Sequence, residues 1–242
     1  MNIITFDSDE KLNEAAANII VGQVQTIPRA VLGLATGGTP VGIYKQIVRD
    51  YERGMVSFRN VTTFNLDEYV NIPVDHPESY HSYMKSHLFD HIDLPESQRF
   101  IPNGNASNLD DECRRYDEAI ELSGQIDLQL LGLGHNGHIG FNEPSHALIK
   151  GTHTVDLAEQ TLEANARFFA SIDEVPKQAL TMGVGTILKA KKILLVVKGA
   201  DKADIIKQAL QGPITTDVPA SLLQTHPNLI VLLDTAAAGK LA

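Results

Sequence analysis

Four short runs in this chain are almost wholly apolar: Ala30-Val-Leu-Gly-Leu-Ala35, Ile126-Asp-Leu-Gln-Leu-Leu131, Lys192-Ile-Leu-Leu-Val-Val197 and Asn228-Leu-Ile-Val-Leu-Leu-Asp234. A strand with one wet face alternates apolar and polar residues, so runs without that alternation belong to strands buried on both faces. Between them lie segments with helical spacing: Leu12, Ala15, Ala16, Ile19, Ile20 and Val24; Val41, Ile43, Tyr44 and Ile47; Tyr80, Tyr83, Met84 and Leu88; Leu109 to Leu122; and Asp201 to Leu210. Strands alternating with helices predict an α/β fold, a mainly parallel twisted sheet with helices on both faces, Rossmann-like in kind. With 242 residues, 43% of them hydrophobic, one core suffices, and no repeat, low-complexity tract or linker marks a second unit. Residues 1–242 therefore read as a single α/β domain.

Shorter signals fill in the rest. Val61-Thr-Thr-Phe-Asn65 is a β-branched strand that runs straight on into Leu66-Asp-Glu-Tyr69, Phe100 lies in a small strand, and Thr152 to Asp156 is extended. Asp7 with Glu10 makes a capping box for the first helix, Thr39 caps the second with Pro40 at its first position, and Asn108 caps the helix from Leu109. Glu159 to Phe169 is predicted helical, and Pro176 opens a further helix. A lid is expected at about 159–176, between strands and carrying Arg167.

Thirty acidic against 20 basic residues give a net charge of -10, which argues against nucleic acid or an anionic membrane as the main partner. A small anion needs only a few amides and one or two cations. Cys113 is the one cysteine, so no internal disulfide forms, and no apolar run approaches the ~20 residues that span a bilayer. The opening residues from Met1 lack the basic start of a signal peptide, and a cytoplasmic location is expected.

In parallel sheets ligands bind outside the carboxyl ends of the strands, and the polar clusters of this chain gather there. Thr36-Gly-Gly-Thr-Pro40 joins a strand to a helix N-terminus, where free amides and the helix dipole favour a phosphate; the alternative is a tight turn with Thr39 as a cap only. It is not a Walker loop, since the Gly-Lys-Ser/Thr ending is missing. Asp67 and Glu68 are adjacent and point opposite ways, so one of them faces the cleft; desolvated there, it would serve as a proton-transfer base, whereas two solvated acids would do nothing. The loop Gly132-Leu-Gly-His-Asn-Gly-His-Ile-Gly-Phe-Asn-Glu-Pro144 supports three functional readings. Gly132, Gly134 and Gly137 match a dinucleotide fingerprint, but Phe141-Asn-Glu-Pro144 follows where an apolar helix should. His135, His138 and Glu143 resemble a metal set without a third His or Cys in register. His138 oriented by Glu143 is an acid-base pair. Polar groups that only tie down a glycine loop are the fourth, bland reading. Arg167 and Lys202 are candidate anion ligands, each of which alone would be a surface cation. His76, His81, His87 and His91 read as structural or solvated.

Leu34-Ala-Thr-Gly-Gly-Thr-Pro40, Phe64-Asn-Leu-Asp-Glu-Tyr69, the loop from Gly132 to Pro144 and Asn165-Ala-Arg-Phe-Phe169 together resemble the glucosamine-6-phosphate deaminase (glucosamine/galactosamine-6-phosphate isomerase) family, in order and over essentially the whole chain. The resemblance implies conversion of glucosamine 6-phosphate and water into fructose 6-phosphate and ammonium. It implies Asp67 as the base that moves a proton from the second carbon of the sugar to the first, and His138, Glu143 and Asn136 as the ring-opening group. Gly37, Gly38, Thr39, Arg167 and Lys202 would hold the phosphate. It implies no metal and no organic cofactor. Some members carry Asp where this chain has Asn136, which shifts charge support of His138 to Glu143. The chain stops soon after Asp234, and the basic effector-site residues of the hexameric members are replaced around His153 and Val155. A monomer or small homo-oligomer rather than a hexamer is expected, with weak or absent activation by N-acetylglucosamine 6-phosphate. The rival readings are a sugar-phosphate lactonase on the same scaffold and a non-enzymatic sugar-phosphate sensor.

Overall fold

In the computed structural model of the chain, which describes residues 1–241 apart from 158–161, 163–168, 170 and 172–173, the strands are β1 (Asn2–Phe6), β2 (Val31–Leu34), β3 (Thr62–Asn65), β4 (Asp67–Tyr69), β5 (Arg99–Phe100), β6 (Leu128–Leu131), β7 (His153–Asp156), β8 (Gln178–Thr181), β9 (Ile193–Val197) and β10 (Leu229–Asp234). The described α-helices are α1 (Asp9–Thr26), α2 (Gly38–Glu52), α3 (Tyr80–His87), α4 (Leu109–Leu122), α5 (Val184–Leu188) and α6 (Ala203–Gln211). Seven strands form one sheet in the order β1-β10-β9-β6-β2-β3-β5, and every neighbouring pair is parallel. β2, β6 and β9 are buried along their whole length, as the unbroken apolar runs require of strands covered on both faces. Asp127, at the entry to β6, accepts from Val31 N (2.8 Å) and from Lys191 Nζ (2.7 Å), which satisfies a buried charge at the amino edge.

The sheet order has one reversal. From β2 the chain builds outward through β3 to β5, and from β6 it builds the other way through β9 to β10. The turns leaving β2 and β6 therefore diverge, and the crevice between them is where a parallel sheet offers room for a ligand.

The second sheet, β4-β8-β7, is antiparallel and was not legible as such in the sequence. Leu66 N still bonds Leu34 O (3.1 Å) in the main sheet, but Met182 N donates to Leu66 O (2.7 Å), and from Asp67 onward the chain pairs with β8. The residues expected to extend β3 thus turn off into a separate strand. Pro176 precedes β8 instead of opening a helix, because the backbone from Gln178 is taken up by β4 and β7 on either side.

Two helix starts also differ from expectation. Ser8, extended at φ -147, accepts from Lys11 N (3.3 Å) and caps α1, while Asp7 pairs with Lys11 Nζ (2.9 Å) at the surface. The turn after β2 requires a left-handed residue, which Gly37 supplies at φ 95. α2 therefore begins at Gly38 and leaves Thr39 inside the first turn, not at the cap. Asn108 caps α4 as expected, through Asp110 N (3.1 Å) and Asp111 N (3.2 Å).

Candidate active site

A cavity of about 310 Å³ opens at the reversal point, walled on one side by the β2–α2 turn and on the other by the loop after β6. A larger cavity, about 500 Å³, lies at the far end of α4, where Lys189 pairs with Glu121 at 3.3 Å, away from the carboxyl edge of the sheet. The smaller one carries the convergent polar groups.

At one end sit Gly37, Gly38 and Thr39, at the N-terminus of α2, where the first amides of the helix have no partner within it. Lys202, in the 3-10 turn leading to α6, reaches the same cavity with Nζ 2.9 Å from Leu133 O. Burial pulls its pKa below the ordinary lysine range, opposed by the charge of Asp201. A half-buried ammonium beside a helix N-terminus favours an anion.

Asp67, the first residue of β4, lines the cavity yet is only 6% exposed. Burial, and then the neighbouring Glu68 charge, push its carboxyl up to about 8. Glu68 points away from the cavity and accepts four hydrogen bonds: Oε1 from Tyr69 N (2.9 Å) and Tyr80 N (3.0 Å), Oε2 from His81 N (3.1 Å), and a contact to His81 Nδ1 (2.8 Å). The adjacent carboxyls thus occupy opposite environments, one starved of donors and one surrounded by them.

The loop after β6 forms the opposite wall. Gly134 N bonds His138 O (3.0 Å), and Phe141 N donates to Thr181 Oγ1 (3.0 Å), so the loop is tied both to itself and to β8. His138 Nδ1 lies 3.1 Å from Glu143 Oε1, and Asn136 Nδ2 donates to Glu143 Oε2 at 2.5 Å. Asn136 Oδ1 accepts from the backbone N–H of His138 (3.2 Å), so Asn136 is tied both to Glu143 and to the main chain of the loop. The imidazole lies flat against Gly134: a Cβ there would stand 2.2 Å from His138 Nε2, which is why this position carries no side chain. His135 turns to a different carboxylate, Asp201 Oδ2 at 2.7 Å, so the two histidines of the loop do not converge on a common point.

The cavity therefore brings together Asp67, Asn136, His138, Gly37, Gly38, Thr39 and Lys202, with Glu143 directly behind His138. Arg167 and most of the segment at 159–176 lie outside the described residues. Two participants escaped the sequence reading. Tyr80 lines the cavity although its spacing suited a helix core, and His81, taken as structural or solvated, holds Glu68. Neither has a local signal, since both depend on β4 meeting the start of α3.

A family model described as glucosamine-6-phosphate isomerases/6-phosphogluconolactonase matches residues 7–231. The chain belongs to that family. A glucosamine-6-phosphate deaminase of Bacillus velezensis is 54% identical over 239 residues, 99% of each chain, and one of Geobacillus sp. is 53% identical over 234 residues, 97% of this chain and 93% of that one. A solved structure of a monomeric glucosamine-6-phosphate deaminase is 50% identical and superposes with a TM-score of 0.96, covering 99% of this chain and 100% of the other. The lactonase branch of the family shares the fold alone: a 6-phosphogluconolactonase from Trypanosoma cruzi superposes with a TM-score of 0.81 at 20% identity, covering 100% of this chain and 97% of that one.

Proposed function

We propose that this chain is a glucosamine-6-phosphate deaminase, which converts glucosamine 6-phosphate and water into fructose 6-phosphate and ammonium. The observation that carries this reading is Asp67, a desolvated carboxyl facing the same cavity as an anion cradle and an imidazole-carboxylate pair. The phosphate seats on the amides of Gly37, Gly38 and Thr39 and on Lys202, with Arg167 as a further ligand. His138, held beside Glu143 and oriented through Asn136, transfers the proton from the anomeric hydroxyl to the ring oxygen and opens the sugar. Asp67, ionised, removes the proton from the second carbon to give an enolamine and returns it to the first. The resulting ketimine adds water and releases ammonia. A carboxylate held in a poorly solvating site is a stronger base than one in water, which suits removal of a proton from carbon.

Ammonia release from glucosamine 6-phosphate by purified protein, with solvent deuterium entering the first carbon of the product or the second carbon of recovered substrate, is the test. Hydrolysis of a sugar-phosphate lactone without carbon exchange would assign the chain to the lactonase branch, and tight binding without turnover would make it a sensor. Lys202→Ala is expected to raise KM about 10- to 100-fold with a smaller change in kcat, as loss of a charge-assisted contact to phosphate does; an unchanged KM would remove Lys202 from the phosphate site.

We further propose a monomer or small homo-oligomer acting in the cytoplasm on a small-molecule substrate, without nucleic acid or membrane as partner. Among the described residues no helix is long and apolar enough to cross a membrane. Saturation is expected to be hyperbolic and unaltered by N-acetylglucosamine 6-phosphate; sigmoidal kinetics relieved by that effector would contradict this.

A further inference from the structure

We propose that Glu68 and His81 form a positioning unit behind Asp67, which fixes Tyr80 against the cavity and sets the charge against which the base works. The proposal rests on the deaminase reading and concerns residues that reading does not use.

Glu68 is 2% exposed, and both its oxygens are taken up by the start of α3: the amides of Tyr80 and His81, with the His81 ring, in addition to Tyr69 N. A carboxylate whose two oxygens are both engaged in this way is fixed in place. One consequence is mechanical. The side chain that ties β4 to α3 grips the backbone of Tyr80, which lines the cavity beside Asp67. The other is electrostatic. The Glu68 charge lies one residue from Asp67 and adds to burial in raising the Asp67 carboxyl.

The remaining neighbours do not offset that charge. Tyr69, Tyr80 and Tyr116, the titratable groups coupled to Asp67 from β4, α3 and α4, are each held neutral by burial, and β8 opposite presents Thr181 and Leu180. Lys202 and His138 face Asp67 only across the cavity. His81 reaches Glu68 from outside the cavity, its ring 30% exposed and 2.8 Å from the carboxylate, so a side chain that does not line the cavity holds the group that acts on Asp67.

The test is the pH profile of kcat/KM for ammonia release by the full-length protein. Its acid limb reports the ionisation that frees Asp67 to act. Glu68→Gln is expected to move that limb down by about one pH unit, because it removes the charge beside Asp67, and His81→Ala, which removes one contact to Glu68 and leaves its charge, to lower kcat severalfold with the limb in place. A shifted limb in one variant and an unshifted one in the other are not produced by a general loss of structure. The same midpoints are read without turnover from the pH dependence of thermal unfolding. A limb and midpoint that stay in place in folded Glu68→Gln overturn the proposal; if Glu68→Gln does not fold, an unchanged kcat in folded His81→Ala overturns it alone. A wild-type protein that releases no ammonia sinks the deaminase reading instead, and the unfolding midpoints still decide the role of Glu68.

Discussion

Asp67→Asn is expected to reduce kcat for deamination by about 10²- to 10⁴-fold, the usual worth of a positioned general base, while making the folded protein more stable at alkaline pH. Both effects have one cause. In the unfolded chain the Asp67 carboxyl titrates near the ordinary aspartate value, whereas in the folded protein burial and Glu68 push it up to about 8. Between those two values the folded state holds a proton that the unfolded state has released. Stability therefore falls as pH rises through that window and is lowest once the folded carboxyl has ionised. Asn carries no charge and does not suffer this loss. The difference in melting temperature between variant and wild type should be small at pH 4, grow up to about pH 8 and level off above it. Deuterium exchange at the second carbon should vanish with deamination. Exchange that survives in the variant, or a melting difference independent of pH, would show that Asp67 is not the desolvated base.

Gly134→Ala should cost about 10²-fold or more in kcat without unfolding the protein, because misplacing a catalytic group by an ångström has effects of that size. The new methyl group would stand 2.2 Å from His138 Nε2, so the imidazole must swing away from its place beside Glu143. Gly134 has no positive φ, so the backbone itself accepts alanine. Adding His138→Ala to Gly134→Ala should lose little more, since both remove the same imidazole from the same place. A variant within twofold of wild type would mean that the ring position observed here is not the one used in ring opening.

Most of the main sheet was legible because its central strands announce themselves without context, whereas β1, exposed along nearly its whole length, was not expected. Ala30 to Ala35, Lys192 to Val197 and Asn228 to Asp234 are apolar enough to admit no other reading, and β2, β9 and β10 lie within those runs. The polar turns at their carboxyl ends were legible for the same reason, since glycines and hydroxyls after a buried strand have few other uses. What stayed hidden depends on pairings distant in sequence. β4 is three residues long and carries two carboxyls, a composition that disfavours a strand until β8 is placed beside it. The link between Glu68 and His81 cannot be read from either neighbourhood, and the cap of α2 fell on Gly37 because backbone conformation outranked side-chain preference there.

Among the described residues β1 joins the sheet through β10 alone, and β10 itself slots between β1 and β9. A ribosome making this protein must therefore extrude residues 2–234 before β1 can find that partner. Until then Ile3 and Ile4 belong to a strand without its mate, the kind of edge on which nascent chains associate.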